Sequence, residues 1–255
     1  MRQLLLFLFL GCLAFASRAN ASQLRPDCSH GILRAVAHIE KNEVRPAYQV
    51  GNIVRRMAAQ SEPYAVQTPD STTLIFYYDY MKSSREGRVY DVKTTYAPAN
   101  GLGALVGELT DFAPAWTFSK KIHKVIIAPS FHDFKPSDTF TWFYAMSNVD
   151  TIQGLKYINM SNVDDMCHMF RECASLVALD VSQLDVSHVT EMLSVFNGDT
   201  KLKYLVGLNR WDVCHATYMR SMFQGCSSIA AFDSIYDWDV HSVTNMNSML
   251  RTAPC

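Results

Sequence analysis

The sequence predicts an α/β fold: a leucine-rich-repeat-like solenoid of about five stacked strand–helix coils behind a small mixed N-terminal cap. Three observations carry that expectation. One slot holds Met166, Met192, Met219 and Met246 in steps of 26, 27 and 27 residues, and a second holds Phe170, Phe196, Phe223 and Leu250 in the same steps. A third slot reads Ile158, Leu184, Trp211 and Trp238, each followed by Asn159, Asp185, Asp212 or Asp239. Within one copy, Val189, Met192, Val195 and Phe196 fall at i, i+3, i+6 and i+7, which places them on one face of a short helix. Self-similarity at this period is the mark of a stacked repeat array.

Each element has its expected role. Asp164, Thr190, Thr217 and Thr244 stand where a helix would begin, and their side-chain oxygens are suited to N-capping. Gly198 and Gly225 stand where it would stop. The half-copy from Leu202 to Val213, with Gly207 and Asn209, reads as a short strand and a turn. A single copy cannot bury its own apolar stripe, so the copies must stack. The register extends backwards, setting Val125, Phe131 and Phe143 opposite Ile152, Ile158 and Phe170. Residues 122–146 therefore read as a degenerate first coil and 147–255 as four repeats, so the solenoid covers 122–255.

The N-terminal part has a different character. Residues 1–21 carry Arg2, an apolar run from Leu4 to Ala16, and Ala19-Asn20-Ala21, the pattern of a secretory signal peptide cleaved after Ala21. Export to the cell surface or the medium follows, and Leu10-Gly11-Cys12 offers lipid anchoring at Cys12 as the weaker alternative. Residues 22–121 read as an α+β cap. Ile32, Leu33, Val36 and Ile39 form one helical face and Ile53, Val54 and Met57 another, with Arg45-Pro46 between them. Thr72 to Tyr80 and Arg88 to Thr94 read as a hairpin around the polar turn Lys82 to Gly87. Residues 96–118, with Pro98, Gly101, Gly103, Gly107 and Pro114, read as a loop-rich link. No later stretch approaches the ~18 apolar residues of a transmembrane span.

Composition narrows the function classes. The chain has 255 residues, is 49% hydrophobic and carries a net charge of −1, so it can bury a sizeable core and has no basic footprint for nucleic acid. Cys28, Cys167, Cys173, Cys214, Cys226 and Cys255 remain after cleavage. Cys173 and Cys226 share a slot two coils apart, about 10 Å, beyond the ~7 Å reach of a disulfide. Small buried free thiols are the expectation. His188, Cys214, His215 and His241 fall in neighbouring slots and have the chemistry of zinc ligands, although a polar turn explains them more simply. The ladder of Asp185, Asp212 and Asp239 with Asn159 resembles a calcium site in composition, and side-chain hydrogen bonds that hold the turn account for it better. His123, His132, Asp133 and Asp138 show no nucleophile–base spacing, so no catalytic residue and no cofactor are expected.

The motif Asp185-Val186-Ser187-His188-Val189-Thr190-Glu191-Met192 returns as Asp239-Val240-His241-Ser242-Val243-Thr244-Asn245-Met246. With Leu74 to Asp79, Ser84 to Gly87, and Trp142-Phe143 followed by Met146 to Asn148, it resembles the BspA-like leucine-rich repeat surface proteins over residues 64–255. The resemblance implies a secreted or surface-displayed bacterial protein that works by binding, with host matrix or another cell's surface protein as partner. Outward slots carry the same expectation. Lys203 and Tyr204 replace Val177, Ala178, Ala230 and Ala231, and Arg210 replaces Gln183 and Asp237. Dissimilar residues in an outward row are what a selective protein contact uses. A non-enzymatic protein-binding function is thus expected. A spacer module is the alternative and a secreted hydrolase a distant one. Self-association through an open last coil is also expected.

Overall fold

The computed structural model describes residues 61–92, 115–232 and 235–253. All of these fall within one compact unit, Ser61–Cys255. The signal peptide at 1–21, the helical faces within 25–60, most of the 96–118 link, and Cys12, Cys28 and Cys255 lie outside the described residues.

The described residues are built from strands and tight turns. Five strands form one mixed sheet: β1 (Glu62–Gln67), β2 (Thr73–Asp79), β3 (Arg88–Asp91), β4 (Lys124–Ile127) and β5 (Thr151–Gln153), in the order β3-β1-β2-β4-β5. The β3-β1-β2 part is antiparallel, and β2-β4-β5 is parallel. Alternation along the strands buries Leu74 and Phe76 of β2 with Val125 and Ile127 of β4. Around the Phe76 ring, Trp116, Phe131, Trp142 and Phe143 pack at centroid distances of 5.3–6.0 Å. The expected hairpin is corrected here. β2 and β3 do not pair, because β1 lies between them and hydrogen-bonds to both. The sequence expectation had no strand at 62–67; its register, Val66 opposite Ile75 and Val89, supplies the missing partner.

The predicted α/β strand–helix solenoid is not what the chain forms. Among the described residues no α-helix occurs, and the helical pieces are 3₁₀ turns of three to five residues. The rest is the five-stranded sheet, a two-stranded sheet of β6 (Ala178–Asp180) and β7 (Tyr204–Val206), and turns. Backbone chemistry explains why the 3.6-residue pattern failed. His168 and Glu172, Ser194 and Gly198, and Ser221 and Gly225 all have positive φ between 54° and 82°, which interrupts any right-handed helix every four residues. The N–H groups are committed elsewhere as well. Met166, His168, Phe170 and Glu172 donate to the carbonyls of Glu191, Leu193, Val195 and Asn197 in the next copy. Those donors are therefore lost to the i→i−4 bonds that define an α-helix. The threonines expected to cap helices act across copies too: the hydroxyls of Thr190, Thr217 and Thr244 donate to the carbonyls of Asp164, Thr190 and Thr217.

The repeated slots meet in space. Single parallel bridges link Asp138, Asp165, Glu191, Tyr218 and Asn245 in series. Inside, Phe143, Phe170, Phe196 and Phe223 stack face to face at 5.3–5.5 Å. Trp211 and Trp238 stack at 6.3 Å and 5°, and their indole N–H groups donate to the carbonyls of Val181 and Leu208. Met166, Met192 and Met219 are buried, whereas Met246 is 41% exposed.

Candidate protein-binding face

β6 and β7 pair in parallel, Ala178 with Tyr204, Leu179 with Leu205 and Asp180 with Val206. Alternation turns Leu179 inward and leaves Tyr204 and Val206 on the outer side, 52% and 55% exposed. Val177, whose carbonyl accepts from the N–H groups of Lys203 and Tyr204, is also exposed. The far end of β7 is fixed by Gly207, at φ 98°. A Cβ there would lie 2.4 Å from Ser182 backbone atoms, so only glycine lets the two chains approach. The strand pair is thus a rigid mount for its outward side chains.

Lys203, Tyr204 and Arg210 are all exposed. The Tyr204 ring projects between copies that carry only alanine, Ala178 and Ala231, at the same position. The Lys203 ammonium sits 5.2 Å from the ring centroid, over its face. Arg210 lies at the end of the 3₁₀ turn Leu208–Arg210 and places its charge near Asp180. Hydrogen bonds from Ser182 hold the Asp180 carboxyl below its usual range, and Arg210 adds to the effect. The result is an outward Tyr204–Val206 pair rimmed by a lysine, an arginine and a carboxylate. Sequence reasoning named Lys203, Tyr204 and Arg210 as candidates and did not name Val206 and Asp180, which the structure sets beside them. The two-residue period of a strand was the available signal, since it puts Val206 on the side of Tyr204.

The candidate zinc residues do not converge. Cys214 Sγ lies 3.2 Å from His215 Nδ1, and His241 Nδ1 lies 2.8 Å from Asp239 Oδ1. His188 is exposed on a different copy. Among the described residues no group of three His, Cys, Asp or Glu is placed to hold a metal ion. The Cys214–His215 pair is also a poor nucleophile. A hydrogen bond with Asp212 raises the thiol pKa, and burial and the charges of Asp212 and Asp239 raise it further. The aspartates themselves hold turns: Asp185, Asp212, Asp239 and Asn159 accept from the N–H groups of Ser187, Cys214, His241 and Ser161. Cys167, Cys173, Cys214 and Cys226 are free thiols, and those of Cys173 and Cys226 donate to the carbonyls of Phe143 and Phe196.

One constellation escaped the sequence reading. The bridged row places Asp138, Asp165 and Glu191 on successive copies, the two aspartates buried. Burial pushes Asp138 up to about 7, with the charges of Asp165 and Asp164 adding to it. Burial likewise raises Asp165 and Glu191. Close by in sequence, His168 is 2% exposed and both ring nitrogens lack a partner. Burial, then the charge of Arg171, lowers it to about 3, so the ring is neutral and packs 5.8 Å from Phe140. The 26–27-residue register already aligned Asp138 with Asp165 and Glu191. Their depth was the missing information.

Residues 138–254, the repeated part of the chain, are similar to a protein family described as Mycoplasma protein of unknown function, DUF285. No curated protein and no solved structure matches the chain. No helix among the described residues is long and apolar enough to cross a membrane.

Proposed function

We propose that this chain is a secreted or surface-displayed, non-enzymatic repeat protein that binds another protein through the β6–β7 face. The observation that carries the reading is the exposed Tyr204–Val206 pair on a rigid strand, bordered by Lys203, Arg210 and Asp180. An exposed tyrosine in a row otherwise held by alanine, with an arginine at the rim, has the composition of a binding hot spot. The signal-like residues 1–21 and the resemblance of Asp185 to Met192 and Asp239 to Met246 to BspA-like surface proteins support export and adhesion. Host matrix or the surface protein of another cell is the partner class. An unbiased capture with the chain from Ser22, against matrix proteins and host-cell extracts, tests it. A saturable partner lost on Tyr204→Ala with Arg210→Ala supports the reading. Capture of nothing saturable favours a spacer module, and turnover of a generic peptide or glycan substrate overturns the non-enzymatic reading.

A further inference from the structure

A second site lies at the end of the five-stranded sheet, away from β6 and β7 in sequence and independent of them. Gln67, Thr68, Pro69, Ser71, Gly87, Arg88, Ser119, Lys120 and Lys121 line a cleft of about 720 Å³, within the size range of small-molecule pockets. Its construction starts from one buried side chain. The Gln67 amide donates to Ser71 O at 2.9 Å and to Ser119 Oγ at 3.0 Å, and accepts from Tyr90 OH at 2.8 Å. That amide ties the turn at Ser71 to the two segments that carry the cations. Arg88 shares β3 with Tyr90 and lies 5.0 Å over its ring, and Lys120 and Lys121 follow Ser119 directly. Gly87 completes the frame: a Cβ there would meet the Gln67 carbonyl at 2.2 Å, so the backbones touch.

The charges in this cleft are unbalanced. In the connection between β2 and β3 the cations are paired: Lys82 with Glu62 and Asp91, and Arg85 with Asp79. Arg88, Lys120 and Lys121 have no carboxylate partner among the described residues. Lys120 donates to Ser147 Oγ, a neutral acceptor, which fixes its position. Two acidic side chains adjoin the lining in sequence and are not part of it: Glu86, which is exposed, and Asp70, which is spent within its own turn on Thr68 Oγ1, Thr72 N and Thr72 Oγ1. Among the described residues the remaining lining is hydroxyls, amide and backbone, with Pro69 the lone apolar residue and no aromatic platform for a base or an apolar ring. Three cations demand an anion of more than one charge. The hydroxyls of the wall and the volume suit anionic groups carried on a polyol.

We propose that this cleft binds a sugar bearing phosphate or sulfate groups, with Arg88, Lys120 and Lys121 on the anionic groups and Thr68, Ser71 and Ser119 facing the ring. Free sugar phosphates and sulfated glycans share this chemistry. Calorimetric titration of the full chain with glucose 6-phosphate, a sulfated disaccharide, its unsulfated parent and inorganic phosphate tests the site and separates the sources. Saturable binding of one or both charged sugars is expected. It should weaken as salt rises, and should weaken about tenfold in Arg88→Gln and again in Arg88→Gln/Lys121→Gln at unchanged melting temperature. Three results would each overturn the proposal: no saturable binding of either charged sugar, equal binding of the unsulfated parent or of inorganic phosphate alone, or undiminished affinity in the double variant.

Discussion

The inner and outer rows of the repeated copies obey opposite rules. Inside, one position holds Phe143, Phe170, Phe196 and Phe223, all fully buried, each ring stacked within 5.5 Å of the next. Outside, the position of Tyr204 holds Ala178 and Ala231 in the neighbouring copies, and its ring stands in solvent. A shared core rewards the same shape in every copy, because each ring is the floor for the next. An outward row has no such constraint. Difference there is where recognition can be written.

The sharpest break of this contrast is in the core. Phe196→Ala removes a ring sandwiched between Phe170 and Phe223 and should cost about 3–5 kcal/mol, read as a loss of chemical-denaturation stability. A loss below about 1 kcal/mol would mean that the row is not a common core.

How much of this was legible in the sequence follows from the same contrast. The slots were readable because Phe170, Phe196 and Phe223 repeat in type, and they do lie together. The local structure was not. Val189, Met192, Val195 and Phe196 fit a helical period, yet Ser194 at φ 54° and the donation of Met192 N–H to Tyr218 O produce a chain of tight turns. Period alone cannot tell one apolar face made by a helix from one made by turns whose hydrogen bonds run between copies. At the candidate face, Lys203, Tyr204 and Arg210 stood out as exceptions to the repeat. Val206 did not, since a valine in a strand is indistinguishable from a core residue until the strand's inward side is known.

Second in expected size is the pH response. Asp138 has a folded pKa of about 7 against 3.8 for a free side chain. Its contribution is fully present below about pH 4 and is lost as pH rises to about 7. His168 runs the other way, from 6.5 down to about 3, so its contribution is present above about pH 6.5 and is lost as pH falls. Each is worth on the order of a few kcal/mol over its window. Thermal melts from pH 4 to 7 should therefore show Asp138→Asn gaining stability relative to the parent as pH rises. His168→Ser, which installs the residue found at Ser194 and Ser221, should gain relative to the parent as pH falls. Parallel curves for all three proteins would refute the burial of these groups.

Smaller still is Leu250→Ala. Leu250 occupies the phenylalanine slot in the last copy but is 45% exposed, so its truncation should cost no more than about 1 kcal/mol in the same denaturation assay. A cost equal to that of Phe196→Ala would erase the distinction between the interior copies and the last one. Smallest in stability, within about 0.5 kcal/mol, should be Tyr204→Ala and Val206→Ala, because neither side chain supports the core.

Binding affinity of that last pair tests the central claim most directly. With the captured partner immobilised, the dissociation constants of the parent and of Tyr204→Ala/Val206→Ala are measured alongside their melting temperatures. The account predicts a loss of affinity of about thirtyfold or more at unchanged melting temperature. Equal affinity in the two proteins would contradict it and place recognition elsewhere on the molecule.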